Sequence, residues 1–242
     1  MIASGGRGLN DAGAAAMIEK AFAKGKPKAV ALVINSPGGS PAQSSLIVAR
    51  IRRLADEKEI PVFAFVEDVA ASGGYWLASA ADEIFVDATS VVGSIGVISA
   101  GFGMSELIAR YGIERRVYTA GTSKSMNDPF KPENPEDVAR LNVILEQLHE
   151  TFKQQIRSRR ANKLVERDLF TGEIWVGQGA VDVGLADGVG HLVPTLKERF
   201  GKKVKFRVYG QRKSLLSRIG ASAVGSLAHQ IEERAQFARF GL

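Results

Sequence analysis

The chain alternates short apolar runs with segments whose apolar residues recur at helical spacing. Lys28–Asn35 (KAVALVIN) is rich in Val and Ile and is bounded by Pro27 and Ser36–Gly39, the pattern of a buried strand. A helix is predicted next. Ser40 is placed to be its N-cap, Pro41 its first residue and Gln43 its N3 residue, a capping-box arrangement, and Ile47, Ile51, Leu54 and Lys58 follow at helical spacing. Pro61–Val66 (PVFAFV) reads as a second strand, Ala71–Ala81 as a helix of small residues, and Glu83–Val86 and Ser94–Ser99 as further strands. Ser105–Tyr111 has a helical pattern and Arg115–Thr119 an extended one. Alternation at this spacing predicts an α/β fold around a mainly parallel sheet covered on both faces.

Asn134, Pro135 and Asp137 open a long helix with an apolar stripe of Val138, Leu141, Leu145, Leu148, Phe152 and Ile156. Gly172–Gly190 is rich in Gly and Asp and is expected to carry short helical turns. Val204–Tyr209 is predicted as a final strand. From Gln211 the pattern changes: Leu216, Ile219, Ala223, Leu227, Ile231 and Ala235 suggest an amphipathic C-terminal helix interrupted near Gly220 and Gly225. The predicted organisation is a body over 1–210 and a helical extension over 211–242.

A length of 242 residues suits one large domain, or one domain with an appendage. The hydrophobic share of 45% and the charged share of 24% are those of an ordinary soluble globular protein. With no Cys, disulfide frameworks, thiol catalysis and cysteine metal sites are excluded. The net charge of +6 gathers at Arg157–Arg160 and from Lys202 through Arg218. It reads as a solvated basic face, with contact to an anionic membrane surface as the second reading. No basic motif with interleaved aromatics is present, so no nucleic-acid partner is expected. No apolar run reaches the length of a membrane span, and the first residues lack a signal-peptide pattern. MIASGGRG at the start reads as the end of a strand, so a preceding segment is expected.

Two turns carry candidate chemistry. Asn35-Ser36-Pro37-Gly38-Gly39-Ser40 lies between a strand and a capped helix. Glycines there let the chain turn sharply and leave N–H groups free for an anion or a developing oxyanion, although ordinary α/β turns look similar. Ala70-Ala71-Ser72-Gly73-Gly74-Tyr75-Trp76 also joins a strand to a helix. Ser72, among small neighbours at a helix N-terminus, is a candidate nucleophile or simply an N-cap. A nucleophilic serine needs a base. His149 and His229 fall inside predicted helices and His191 in a Gly-rich segment, and each reads better as structural. Lysine can replace histidine where burial favours the neutral amine. Lys124, in Gly121-Thr122-Ser123-Lys124-Ser125, is one such candidate, and spacing alone does not choose it over Lys131. Gly5-Gly6-Arg7-Gly8 lacks the Lys-Ser/Thr of a phosphate loop and reads as a turn. Glu67-Asp68 reads as a polar loop edge, and Tyr75 and Trp76 fit core packing as well as a substrate pocket.

SPGG, AASGGYW, VGSIGV, GTSKSMNDPFKP and TGEIWVGQGAVDVGLADGVG occur in that order between Ala29 and Val193. Together they resemble the motifs of the signal peptide peptidase A (SppA) family of Ser/Lys serine peptidases. The resemblance implies Ser72 as nucleophile, Lys124 as general base, Ser94 (in VGSIGV) as the serine that orients the lysine, and Gly39 as an oxyanion-hole donor. Gly73 is added as a second donor on geometry, because the residue after such a nucleophile usually points its N–H inward. It also implies a crotonase-like, Clp-protease-like fold of stacked ββα units, no metal or organic cofactor, peptide substrates such as remnant signal peptides, and a ring-shaped homo-oligomer, often octameric, in which subunits can share the dyad. Family members sit on the periplasmic side of the inner membrane through an N-terminal anchor. The sequence as it stands carries no such anchor and reads as cytoplasmic. For the tail the expected role is packing on the body or on a neighbouring subunit, with peripheral membrane contact as the second reading. A crotonase-fold enzyme acting on acyl-CoA would need only the two backbone donors, and a scaffold would need neither Ser72 nor Lys124.

Overall fold

The computed structural model describes residues 2–3, 8–210 and 237–240. It divides into two compact units, one formed by 1–96 with 152–242 and the other by Val97–Thr151. The elements among the described residues are, in chain order, α1 (Asp11–Ala23), β1 (Val30–Ser36), α2 (Pro41–Lys58), β2 (Val62–Ala71), α3 (Gly73–Ala78), β3 (Glu83–Val86), β4 (Val91–Gly93), α4 (Ser105–Arg110), α5 (Pro135–Arg160), β5 (Ile174–Val176), α6 (Gln178–Asp182), β6 (Gly188–Val189) and α7 (Leu192–Phe200).

The first unit is built on β2. Its N-terminal half pairs in parallel with β1 and β3, its C-terminal half with β4, and β6 extends the sheet beyond β3 in parallel. Among the described residues only the β4–β5 pairing is antiparallel. The mixed α/β architecture and mainly parallel sheet agree with the expectation. Strand β2 runs five residues past the predicted Val66 because it changes partner there. Ile34 pairs with Val66 and Ser36 with Ala70, so β2 carries two extra residues, the exposed Glu67 and Asp68. The bulge is tied on both sides: Asn35 donates to Asp68 Oδ2 at 2.5 Å, and the buried Ser90 hydroxyl reaches the carbonyls of Val66 and Glu67. A bulge of this kind re-aims a strand, here toward β4.

Residue parity along β2 separates its two faces. Val62, Ala64, Val66 and Ala70 join the main core with α1, α2, α3 and the end of α5. Phe63 and Phe65 face the other way, onto Leu196 of α7. Val69 and Ala71 share that second face with Val91, and there Phe237 and Phe240 pack against them. At the end of α5, Phe152, Ile156 and Arg160 are buried one turn apart, and Phe152 stacks on Trp76 at 4.7 Å between ring centroids.

Several expectations need correction. Ser94–Ser99 is not a strand. The pairing residues are Val91–Gly93, after which the backbone leaves the sheet because Gly93 and Ser94 take positive φ. Val204–Tyr209 joins no strand among the described residues, and Val208 stands 93% exposed. The capping box at α2 is half made: Ser40 Oγ accepts from Gln43 N, but the Gln43 side chain turns away to accept from Asp11 N of α1 at 2.9 Å. The predicted tail helix over 211–242 lies outside the described residues except for one helical turn at 237–240.

The second unit contains α4, a series of turns and the first part of α5. Among its described residues no hydrophobic side chain is buried. The apolar stripe of α5 is therefore half-exposed at Val138, Leu141, Leu145 and Leu148 and buried only at Phe152 and Ile156, in the first unit.

Candidate active site

Ser72 occupies the single residue between β2 and α3, with φ 52 and ψ −121. A side chain held in this region costs about 1–3 kcal/mol and persists only where the surroundings over-determine it. The constraints are visible. Ser72 N donates to the Gly93 carbonyl at 2.9 Å, and the Ser72 carbonyl accepts from Trp76 N at 2.9 Å. Ser72 stands at the N-cap position of α3, but its hydroxyl makes no capping hydrogen bond there. The strained strand-to-helix turn that presents a hydroxyl is the geometry of a nucleophile elbow.

The Ser36–Gly39 turn lies directly against it. A Cβ added to Gly38 would sit 2.9 Å from Ser72 Cβ, and one added to Gly73 would sit 3.3 Å from Gly39 N. The two glycines singled out in the sequence thus bring their backbones side by side next to Ser72. No described backbone hydrogen bond uses the N–H of Gly39 or Gly73. Gly39, at φ 139, admits no other residue: a Cβ would meet the Ile2 carbonyl oxygen at 2.0 Å. Ile2, which sequence reasoning did not single out, holds this turn from outside. Its N–H donates to Gly38 O at 3.0 Å, and its carbonyl accepts from Ser40 N at 2.9 Å. Ser44 was also missed. Its buried hydroxyl donates to Ser40 O and packs under Gly73. Its place four residues after Ser40 is the available signal, since Ser at that spacing commonly bonds back to the preceding turn.

Close approach of the two turns makes a specific prediction. Gly74 has an ordinary helical conformation, but a Cβ there would lie 2.3 Å from Ser36 O. Gly74→Ala must push the Ser36–Gly39 turn away from Ser72. For the peptide hydrolysis that the motifs imply, the expected result is a fall in kcat of about 100-fold with the protein still folded, read alongside circular dichroism. Wild-type kcat in Gly74→Ala would show that the spacing of the turns does not matter.

Ser94 follows Gly93, the residue whose carbonyl holds Ser72. It too has positive φ, 50, and its N–H donates to Glu173 O at 2.7 Å. The first unit thus gathers Ser72, Ser94, Gly39 and Gly73. Lys124 belongs to the second unit, on a run of turns, exposed, with its N–H donating to Gly121 O at 3.3 Å. The competing Lys131 is engaged, donating from Nζ to Ser125 Oγ at 3.1 Å. Asp128 organises the turn after Lys124: it accepts from Phe130 N at 3.0 Å and from the Arg115 guanidinium. The Phe130 N–H first, then Arg115 and Lys131, hold its carboxyl below the usual range against the opposing effect of burial. Of the histidines, His191 bonds the Asp87 carboxylate at 2.8 Å, His149 lies within α5, and His229 is outside the described residues.

The profile of Peptidase family S49 matches residues 55–204, more than half of the chain. The chain belongs to peptidase family S49. This is the SppA family that its ordered motifs resemble. The matched span contains Ser72, Ser94 and Lys124, whereas Gly39 precedes it. Among relatives, the Na(+)/H(+) antiporter NhaA of Brucella melitensis is 47% identical over 97% of this chain and 34% of its own length. The Arabidopsis thaliana chloroplastic serine protease SPPA is 32% identical over 83% of this chain and 31% of its own length. The chain spans about a third of the length of both. The antiporter name is that protein's own: the region shared with it covers nearly the whole of this chain and includes the S49 span, and no described helix of this chain is long and apolar enough to cross a membrane.

Proposed function

We propose that this S49 chain is a serine endopeptidase with a Ser72/Lys124 dyad. The observation that carries the reading is the unit-1 half-site. Ser72 is held in a strained strand-to-helix turn with its hydroxyl free of capping, and the unpaired N–H groups of Gly39 and Gly73 lie beside it. In this mechanism Lys124, oriented by Ser94, removes the Ser72 proton while Oγ attacks the peptide carbonyl. The tetrahedral oxyanion is met by the N–H of Gly39 and of Gly73. Lys124 then gives the proton to the departing amine as the C–N bond breaks, leaving an acyl-Ser72 ester. Water, deprotonated by the same lysine, hydrolyses the ester and restores Ser72.

The substrate class is short or unfolded polypeptide, including remnant signal peptides. Relatedness to a chloroplastic serine protease SPPA supports a proteolytic role. The fold we assign is the crotonase-like, Clp-protease-like one, with 1–210 as the peptidase body. A homo-oligomeric ring, of eight subunits in the family pattern, accounts for the second unit: Phe102 is 85% and Tyr118 91% exposed, and its other apolar residues lack a core. Side chains of this kind call for a covering partner, and a second copy is the one proposed. The family's place at the periplasmic face of the inner membrane is carried over as part of this proposal.

The test is covalent labelling by a fluorophosphonate, which reports a serine with an activated hydroxyl without needing a peptide substrate. Mass spectrometry should place the adduct on Ser72. Lys124→Ala should slow labelling by about 1,000-fold or more, on the order of a lost general base, while Lys131→Ala should label at the wild-type rate. Unchanged labelling of Lys124→Ala would remove Lys124 from the mechanism.

A further inference from the structure

We propose that Phe237 and Phe240 are positioning residues for the reaction, clasping the sheet directly behind the Ser72 turn. The inference rests on the reading of Ser72 as nucleophile. Val69, Ala71 and Val91 form a small apolar cluster of their own, on the face of β2 and β4 turned away from the main core, and both phenylalanines pack against it. These are the last residues of the sheet before the site. Val69 pairs with Val91, Ala70 with Val92 and Ala71 with Gly93, and the next residues along the two strands are Ser72 and Ser94. Both are non-glycine residues at positive φ, 52 and 50.

Strained conformations of this kind persist only where packing and hydrogen bonds leave no alternative. On the core side, Ala70 and Val92 belong to the main cluster. On the other side, the described cover is Phe237 and Phe240. The bond that fixes Ser72, from its N–H to Gly93 O, continues the ladder that this cover shields. Loss of the cover would let water compete for the last rungs of the β2–β4 ladder, and the two turns would relax together. Phe237 and Phe240 touch neither substrate nor a reacting atom. They act through the backbone that aims the hydroxyl.

The experiment compares full-length wild type, Phe237→Ala/Phe240→Ala, Phe237→Leu/Phe240→Leu and, as a control, Phe206→Ala, whose ring is 41% exposed and outside the apolar clusters. Two readouts are taken: native-state hydrogen exchange over Val69–Gly73 and Val91–Ser94, and kcat and KM with the fluorophosphonate labelling rate. In the Ala pair, exchange at these amides should rise at least about tenfold. Its kcat and labelling rate should fall about 10- to 100-fold with KM within about threefold of wild type. The Leu pair should restore both readouts, because it restores apolar cover, and the control should match wild type. Unchanged exchange in the Ala pair overturns the clasp whatever the rates do. Faster exchange with wild-type kcat and labelling reduces the phenylalanines to surface packing and overturns the positioning role. A wild type that neither cleaves nor labels overturns the Ser72 reading, and with it any catalytic role for the clasp; the exchange readout then still decides whether the clasp orders the turn.

Discussion

On the proposed mechanism, replacing Ser72 by Ala is expected to abolish hydrolysis of an unfolded or signal-peptide-like substrate, with kcat falling about four to six orders of magnitude, the scale of losing a serine nucleophile. The backbone at this position is held by contacts that do not involve the hydroxyl: Ser72 N to Gly93 O and Trp76 N to Ser72 O. The side chain makes no cap bond to α3, so its removal should leave the fold untouched, with melting within about 2 °C of wild type. That combination separates chemistry from structure. A variant that still cleaves at more than about one-hundredth of the wild-type rate would show the nucleophile to be elsewhere. A wild type that is inert while folded and assembled would favour a scaffold in which the half-site is not used.

The second large effect is on stability. Arg160, 2% exposed, closes the end of α5 onto the loop before β6: Nε donates to Gly184 O and Nη1 to Asp187 Oδ2, each at 2.8 Å. Asp187 also accepts from Lys163 Nζ at 2.6 Å and from Ile84 N at 2.7 Å, so one carboxylate joins α5, β3 and the start of β6. Asp187→Asn keeps the shape but strands the Arg160 charge. Arg160 Nη2 is already buried without a partner, so no neighbour stands ready to compensate. Breaking a buried pair in this way costs about 3–5 kcal/mol, a fall in Tm of roughly 6–20 °C for a chain of this size, read by calorimetry. The pH dependence follows from the same contacts. Burial alone would raise the Asp187 pKa, but the bonds from Arg160, Lys163 and Ile84 N–H outweigh it and hold the group below its ordinary value. A carboxylate with a depressed native pKa stabilises the fold at every pH above the unfolded value of about 3.9. That contribution is lost as pH falls from there through the lowered native value. Wild type should therefore lose stability more steeply than Asp187→Asn below about pH 4. Parallel acid limbs, or a variant melting within about 2 °C of wild type, would show the pair to be energetically idle.

The positions of β1, α2, β3 and α5 were legible because each has a continuous local signal: a Val/Ile run, a Ser-Pro start, or a stripe at helical spacing. The C-terminal half of β2 was not. Glu67 and Asp68 interrupt its apolar pattern, and the interruption is a bulge whose pairing depends on β4, contributed some twenty residues later. Val91–Gly93 was misplaced onto Ser94–Ser99 for a related reason. A three-residue strand carries too little periodicity to be located, and its end is set by the positive φ of Gly93 and Ser94. The apolar stripe of α5 was legible, but not which part of it is covered, since spacing shows which residues share a face and not what packs on them.

The sequence by itself determined the mixed α/β class, the two glycine turns after strands, and the S49 family through five ordered motifs. Local chemistry suffices for the turns, because Gly permits backbone conformations closed to other residues and Pro fixes its own φ wherever they stand; the family rests on the resemblance of the ordered motifs. Only the tertiary structure decided that the Ser36–Gly39 turn lies against Ser72, that Ile2 and Ser44 hold it there, and that the Gly93 carbonyl fixes the serine's own N–H. It alone brought Phe237 and Phe240 behind the last rungs of the sheet. Apart from the Ser44–Ser40 bond, these contacts join residues far apart in the chain at backbone-to-backbone or side-chain distance. Such approaches are set by the packing of the whole sheet rather than by any local run of residues.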